Sequence, residues 1–550
     1  MRFQLDHDWQ GNMATPRARV GESAKTQLLL ILCAIWIILG LTGHAPWKPL
    51  EAPSISIVKG IVQGGSLIAP LAAGESTLTS PPLYYLTAAA SAKLLSPLFD
   101  MHDGARLINV IWMTIVLLMV GMTGRELWAR GVGRHATFIM MGTIGLIMNA
   151  HSLNAEVASL ASAATGFYAL ALSKRRPWRA SGLLGLAIGA GFLSNGLIPP
   201  LILLATALLL PILFKAWRTK SFATTVGTAM IIASPLIAGW LILLYLQEPA
   251  LFKPWLQANL NGFNQQNHLY FVRILIWYAW PALPLALWGL WRNRHQLALK
   301  PKFQLILTFF ICSLLLLGFG ASSKDISALP LLLPLVALGA GSVEHLKRGA
   351  AAALNWFGIT LFGLIGFLVW LGWIAMLTGY PAKIKERMQF LSGSNATHFS
   401  WIAFAIAFII TMIWIFTCLR AKQSNRSTVT NWAVGMTFGW GLLMTLWLPW
   451  INAVKSYQPV FTGMQKVLPA HFDCMSSLNV GQSQRLLLHY YTDINLRPFE
   501  TTQQLNCNLY LIQDARGVGK MLPSDEWKLI WQGKRIADRK ENFRLFQRQQ

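Results

Sequence analysis

From residue 27 to residue 452 the chain repeats one pattern, an apolar run of 18 or more residues followed by a short polar connection that carries basic side chains. Each run is long enough to cross a hydrocarbon core of roughly 30 Å as a helix, which satisfies its own backbone hydrogen bonds in lipid. Basic clusters fall at Arg17/Arg19/Lys25, Arg125/Arg130/Arg134, Lys174/Arg175/Arg176/Arg179, Lys215/Arg218/Lys220, Arg292/Arg294/Lys300/Lys302, Lys347/Arg348 and Arg420/Lys422/Arg426. Cytoplasmic loops are rich in Lys and Arg, so all seven clusters belong on that side and two crossings separate each from the next. Between Lys25 and Arg125, however, lie three apolar stretches, 27–43, 81–98 and 107–123. The middle one is the weakest, because Pro81-Pro82 opens it, Lys93 interrupts it and Ser, Thr and Ala dilute it. It reads as a helix lying in the membrane interface, with Tyr84 and Tyr85 at headgroup level. Residues 44–106 then form one long extracytoplasmic loop.

The remaining crossings pair at about 134–150 with 156–173, 180–196 with 197–214, 222–246 with 270–291, 303–320 with 328–343, and 353–379 with 399–418. A last span near 431–451 takes the C-terminus out, giving about thirteen spans in all. The first 26 residues read as a cytoplasmic tail before a retained helix, not as a cleaved signal. From Lys455 the composition changes to Asp, Arg, Gln and Asn, with short alternating runs such as Cys507–Ile512 and Trp527–Trp531. The expected fold is therefore an all-α polytopic membrane protein with a small C-terminal extracytoplasmic α/β domain. Its divisions are a tail 1–26, a transmembrane domain 27–454 and a C-terminal domain 455–550.

Composition fits this pattern. The chain is 54% hydrophobic and only 12% charged with 24 Trp, about half the charge of a soluble enzyme. A net charge of +25 would in a soluble protein point to nucleic acid, but the positive-inside rule accounts for most of it, and no nucleic-acid partner is expected. Of five cysteines, Cys33, Cys312 and Cys418 fall in or at the ends of apolar runs. Only Cys474 and Cys507 share a soluble segment, and they pair if that segment lies in an oxidising compartment.

The topology gathers four polar segments at one face: 44–106, Asn149-Ala-His-Ser-Leu-Asn-Ala-Glu156, 247–273 and Ser322-Ser-Lys-Asp-Ile-Ser327. They hold carboxylates (Glu51, Glu75, Glu156), cations (Lys59, Arg106, Arg273, Lys324) and aromatic residues. Such a mixture suits a phosphorylated, lipid-tailed substrate: cations hold the phosphate, aromatic rings line the groove, and a carboxylate deprotonates an acceptor. Plainer readings exist for each. Glu51 between Pro49 and Pro53 is an ordinary solvated loop charge, Lys59 snorkels to lipid headgroups, and Tyr84-Tyr85 anchors an aromatic belt. No histidine pair has the spacing of a structural metal site.

The first loop nevertheless carries Trp47-Lys-Pro-Leu-Glu-Ala52, Gly64-Gly-Ser-Leu-Ile-Ala-Pro70 and Ser80-Pro-Pro-Leu-Tyr-Tyr85, followed by Arg106. With the long first loop, the span count and the external tail, this resembles the GT-C superfamily, specifically the ArnT-like and protein-mannosyltransferase-like (family 39 type) membrane glycosyltransferases. There the corresponding motifs are Trp-x-Pro-Asp-Glu-(Ala/Pro), Gly-(Asp/Glu)-x-x-x-Pro and Lys-Pro-Pro-Leu-Tyr-Tyr. The family's aspartate falls on Leu50, its loop lysine on Ser80, a second external Asp on Glu156, and the lysine of a Ser-Lys-Gly turn on Asn195.

The resemblance implies transfer of a sugar from a polyprenyl-phosphate donor to a lipid A, glycan or protein acceptor, in the inner membrane of a bacterium with the active face periplasmic. It implies Glu51 and Glu156 as catalytic carboxylates. Lys59, Glu75, Tyr84, Tyr85, Arg106, His268, Arg273 and Lys324 would face substrate and membrane lipids. A divalent metal ion is left open. Because leucine neither accepts a proton nor ligates a cation, two other functions compete: a catalytically degenerate relative that binds polyprenyl-phosphate lipid or scaffolds a partner, and a lipid transporter.

Overall fold

The computed structural model describes residues 22–549 except 74, 76–77, 130, 262–268, 394–397, 421–423, 499–506, 515–526, 536–537 and 539–540. The N-terminal half runs α1 (Glu22–Ile38), α2 (Glu51–Val62), α3 (Leu83–Leu95), α4 (Met101–Arg106), α5 (Ile108–Leu127), α6 (Val132–Met141), α7 (Ile144–Ala150), α8 (Glu156–Leu172), α9 (Pro177–Asn195), α10 (Ile198–Leu213) and α11 (Lys220–Gln247). There follow α12 (Pro249–Asn261), α13 (Tyr270–Tyr278), α14 (Ala282–Arg292), α15 (Pro301–Gly320), α16 (Leu329–Ser342), α17 (Arg348–Thr378), α18 (Ala382–Ser392), α19 (Trp401–Arg420), α20 (Asn425–Leu446), α21 (Leu448–Lys455) and α22 (Gln458–Gln465).

Among the described residues six helices are long and apolar enough to cross a membrane, and two bent pairs raise this to eight. The bent pairs are α13 with α14, turned by 102°, and α20 with α21, turned by 69°. Three shorter apolar helices lie within α1, α8 and α10. The helix around α16 forms the centre, with 89% of its apolar window buried, whereas α19 is 6% buried and presents its side chains outward. A helix so exposed and so apolar belongs against lipid.

The run 134–150, expected as one span, is two helices. Its break has a local cause. The Trp432 indole lies so close to Gly142 that a Cβ there would sit 2.5 Å from the ring, and its Nε1 donates to the Gly142 carbonyl (2.8 Å). With that carbonyl taken by a side chain, the chain turns, and Ile144 N donates across to Trp280 O.

Beyond α22 the chain forms β1 (Met475–Leu478), α23 (Gln482–Thr492), β2 (Leu496–Pro498), β3 (Leu509–Asp514), β4 (Trp527–Gly533) and β5 (Asn542–Arg548). The strand order is β2-β1-β3-β5-β4. β1 pairs in parallel with β2 and β3, as a βαβ unit through α23 requires, while β5 runs antiparallel to both β3 and β4. Leu486, Leu487 and Leu488 of α23 are buried in one cluster with Leu509, Leu511, Phe543 and Leu545 of the sheet. The same cluster takes in Ala52, Ile55 and Val58 of α2 and Tyr84 and Ala88 of α3. The C-terminal domain and the first loop therefore share a core.

Candidate active site

After α1 the chain reverses through Gly40 and Gly43, both at positive φ (+92° and +87°), a conformation that costs glycine nothing. Gly43 N–H donates to Asp103 Oδ2 (2.7 Å). Residues 44–50 then wrap around one guanidinium. Arg106, the last residue of α4, is fully buried. Its Nε donates to Glu51 Oε1 (2.6 Å) and Nη2 to Glu51 Oε2 (3.1 Å). Nη1 donates to Asp103 Oδ1 (2.7 Å) and His44 O (2.8 Å), and Nη2 also reaches Ala45 O (3.1 Å).

Glu51, the first residue of α2, is 2% exposed. Besides the two guanidinium bonds it accepts from Trp47 N (2.8 Å) and Leu153 N (2.9 Å). An ionised carboxylate offers about four lone-pair sites, and here all are filled. Burial would raise the carboxyl, but the charge and hydrogen bonds of Arg106 prevail and hold it below the ordinary carboxylate range. The group is a weak base by both geometry and electrostatics. Glu51 is thus a strut of the loop, not the solvated charge or proton acceptor that the sequence suggests. His44 stacks on Trp47 with centroids 4.0 Å apart. Burial, and then the nearby Arg106, lower His44 to about 4. Leu50, one position before Glu51, packs against the central membrane core.

The turn before α8 gathers the other residues. Tyr84 is fully buried; its hydroxyl donates to Asn109 Oδ1 (2.9 Å) and accepts from Asn154 N (3.0 Å). Asn109 in turn donates to Ala150 O and Ser152 O. Tyr85 is buried as well. Both rings are interior braces, which corrects their placement at headgroup level. The small face Ala88, Ala89 and Ala92 lets α3 pack closely on its neighbours. Glu156 begins α8, half-buried, and interacts electrostatically with Lys324 and Tyr85. Lys324 and Arg273 are exposed. His268 lies outside the described residues.

Lys59 and Glu75 are turned elsewhere. Lys59 is buried and donates to His489 O (3.0 Å), Tyr490 O (2.9 Å) and Asp493 Oδ1 (2.6 Å). It caps the carbonyl end of α23, where a cation is favoured. Hydrogen bonding from Lys59 keeps the Asp493 carboxyl below its ordinary range. Glu75 pairs with Arg485 of α23 at 3.5 Å. Neither residue is positioned as a lipid or phosphate contact in this arrangement. Cys474 and Cys507 are joined in a disulfide that ties the approach to β1 to that of β3.

Sequence reasoning missed Asp103, Asn109 and Asn154. Only Asp103 left a signal, its i,i+3 spacing from Arg106. As to a divalent ion, among the described residues no three His, Cys, Asp or Glu side chains are grouped to hold one. Leu50 offers no ligand and the Glu51 oxygens are occupied. Among the described residues, those at the loop do not fit such an ion.

Lipid-facing helices, a long first loop closed over a buried Arg106, and a βαβ sheet packed on that loop make up a fold similar to that of solved membrane glycosyltransferases. In particular it is the ArnT fold. The crystal structure of ArnT from Cupriavidus metallidurans in the apo state superposes with a TM-score of 0.68 over 95% of this chain and 98% of that one, at 11% identity. The same protein bound to undecaprenyl phosphate gives 0.66 over 96% and 98%, at 12% identity.

Sequence relatives agree with the fold. The undecaprenyl phosphate-alpha-4-amino-4-deoxy-L-arabinose arabinosyl transferase of Pseudomonas paraeruginosa is 24% identical over 366 residues, 61% of this chain and 63% of its own length. That of Serratia proteamaculans is 22% identical over 402 residues, 69% and 70%. The chain thus spans about 63% of the length of the first of these curated relatives. No family model matches it. The resemblance first seen in the motifs of the 44–106 loop is upheld by relatives and fold together.

Proposed function

We propose that this protein is a membrane glycosyltransferase that moves a sugar from a polyprenyl-phosphate carrier to a lipid A, glycan or protein acceptor. The observation that carries the reading is Glu156. It is a half-buried carboxylate under the electrostatic influence of Lys324 at the N-terminus of α8, adjoining the turn that bonds Glu51 and Tyr84. In the reaction the acceptor oxygen or nitrogen forms a bond to the anomeric carbon while that carbon's bond to phosphate oxygen breaks. Glu156 takes the acceptor proton, and the departing phosphate keeps the electron pair and is held by Lys324 and Arg273. Arg106 and Glu51 act on neither atom and shape the loop around them.

The fold match to ArnT, including the form bound to undecaprenyl phosphate, supports this donor class. The membrane would be the bacterial inner membrane, with the N-terminus cytoplasmic and the C-terminus periplasmic, an orientation that puts the Cys474–Cys507 disulfide in an oxidising compartment. Purified protein assayed with polyprenyl-phosphate sugars and lipid A tests the reading. Glu156→Gln is expected to lower turnover by about 10²–10⁴-fold, the usual contribution of a general base. Full turnover in Glu156→Gln would refute the assignment.

A second reading rests on Leu50 and on the fully occupied Glu51: a relative that binds polyprenyl-phosphate lipid without transferring sugar. It predicts saturable lipid binding by a chain that turns nothing over. Transfer appearing in Leu50→Asp with Ser80→Lys would identify a decayed site, and transfer by the unaltered chain would eliminate this reading.

A further inference from the structure

Glu541 lies just before β5, in a part of the chain distant from every motif of the first loop, and it is 8% exposed. A carboxylate so buried survives ionised only with partners, and four converge on it from separate segments. Lys48 of the first loop makes an ion pair with Oε1. Gln484 Nε2 of α23 donates to the same oxygen (3.0 Å). The hydroxyl of Tyr457, itself fully buried, donates to Oε2, and Arg535 Nη2 approaches that oxygen at 3.5 Å. Three of these partners belong to the C-terminal part of the chain. Only Lys48 comes from the loop, three residues ahead of Glu51.

The neighbouring contacts point the same way. Asn452 Oδ1 in α21 accepts from Ala45 N (3.0 Å) and Trp47 Nε1 (3.3 Å), and the Lys455 ammonium lies over the Trp47 ring at 4.6 Å. The inner side of residues 44–51 is thus held by Arg106 and the outer side by α21 and Glu541. We infer that Glu541 is a positioning residue, through which the C-terminal domain sets the conformation of the candidate active-site loop. The link to turnover rests on the glycosyltransferase reading above; the mechanical link does not.

The test uses the full chain in detergent micelles or nanodiscs. Glu541→Gln keeps size and hydrogen-bonding shape but removes the charge that Lys48 and Arg535 meet. Hydrogen–deuterium exchange over 44–62 is expected to speed up about 10-fold or more, the factor that loss of one charge-assisted hydrogen bond gives. Exchange in β1, β3 and α15 is expected to stay as in the wild type. Lys48→Met is expected to do the same, and the double variant to add little beyond either single change. With polyprenyl-phosphate sugar, kcat normalised to the folded fraction falls while KM for the donor stays within about 2-fold, whereas a general loss of stability lowers turnover only through that fraction. Unchanged exchange over 44–62, or faster exchange spread equally over the sheet, overturns the inference. Absence of turnover in the wild type counts against the transferase reading alone, and the exchange result still decides the coupling.

Discussion

Arg106→Met is the substitution that the buried network makes most costly. The side chain fits the space, but five hydrogen bonds disappear and Glu51 and Asp103 remain as two buried carboxylates with no cation between them. Removing one partner of a buried ion pair costs about 3–5 kcal/mol, mostly through the charge left behind. The size of the penalty therefore depends on pH. In the wild type the Glu51 carboxyl lies below its ordinary value, so its contribution to stability is complete above that value and is lost only as pH falls below the ordinary range. Without the guanidinium, the largest influence opposing burial is gone and the group rises, although the amides of Trp47 and Leu153 still hold it. Protonation then relieves the variant at a pH where the wild type is still ionised.

Denaturant titration of the purified protein in micelles at pH 7 and near pH 4.5 measures both terms. The gap between wild type and Arg106→Met is expected to be at least 3 kcal/mol at neutral pH and to narrow on acidification. Glu51→Gln in the Arg106→Met background removes one stranded charge, and should give a coupling of about 1–3 kcal/mol relative to the sum of the single changes. A variant within about 1 kcal/mol of wild type at neutral pH, or a gap independent of pH, refutes the reasoning.

His44 gives a second pH signature. Its ordinary value of 6.5 is lowered to about 4, so between those values the unfolded chain takes a proton that the folded chain refuses. Stability should decline by roughly 3 kcal/mol across that window as pH falls, and His44→Asn should flatten the slope in the same titration. The Cys474–Cys507 disulfide closes a separation of 33 residues, for which chain entropy predicts about 3–4 kcal/mol of stabilisation. Cys474→Ser with Cys507→Ser should lower the unfolding free energy of the C-terminal sheet by that amount, with a corresponding fall in its midpoint. An unchanged midpoint would show the sheet to be held by its apolar contacts with α2.

The sequence made the class of fold legible because its signals are local. An apolar run declares itself by length, and Pro81-Pro82 sits just ahead of the first turn of α3. The alternating runs at Cys507 and Trp527 became β3 and β4 to within a few residues. The site was less legible because its determinants are distant or made of backbone. Arg106 stood out, but nothing near Glu51 announces that the amides of Trp47 and Leu153 close its remaining lone pairs. Lys59 meets carbonyls some 430 residues further on, so a buried cap looked like a snorkelling cation. Tyr84 and Tyr85 failed for a related reason, since an aromatic pair beside an apolar run has the same pattern in a headgroup belt and in a polar interior. The single run at 134–150 hid its break because the cause, Trp432, comes from another helix.

Leu50 and Glu51 are neighbours in sequence at the head of α2, yet successive positions on a helix point about 100° apart. One faces the membrane core and the other is fastened to Arg106. An acid at 51 therefore cannot stand in for an acid at 50 by small adjustments of the loop. For directed evolution this separates two tasks. Libraries at position 51 will mainly sort folded chains from unfolded ones, while chemistry at this end of α2 can be changed only through position 50, one residue away and a different direction in space.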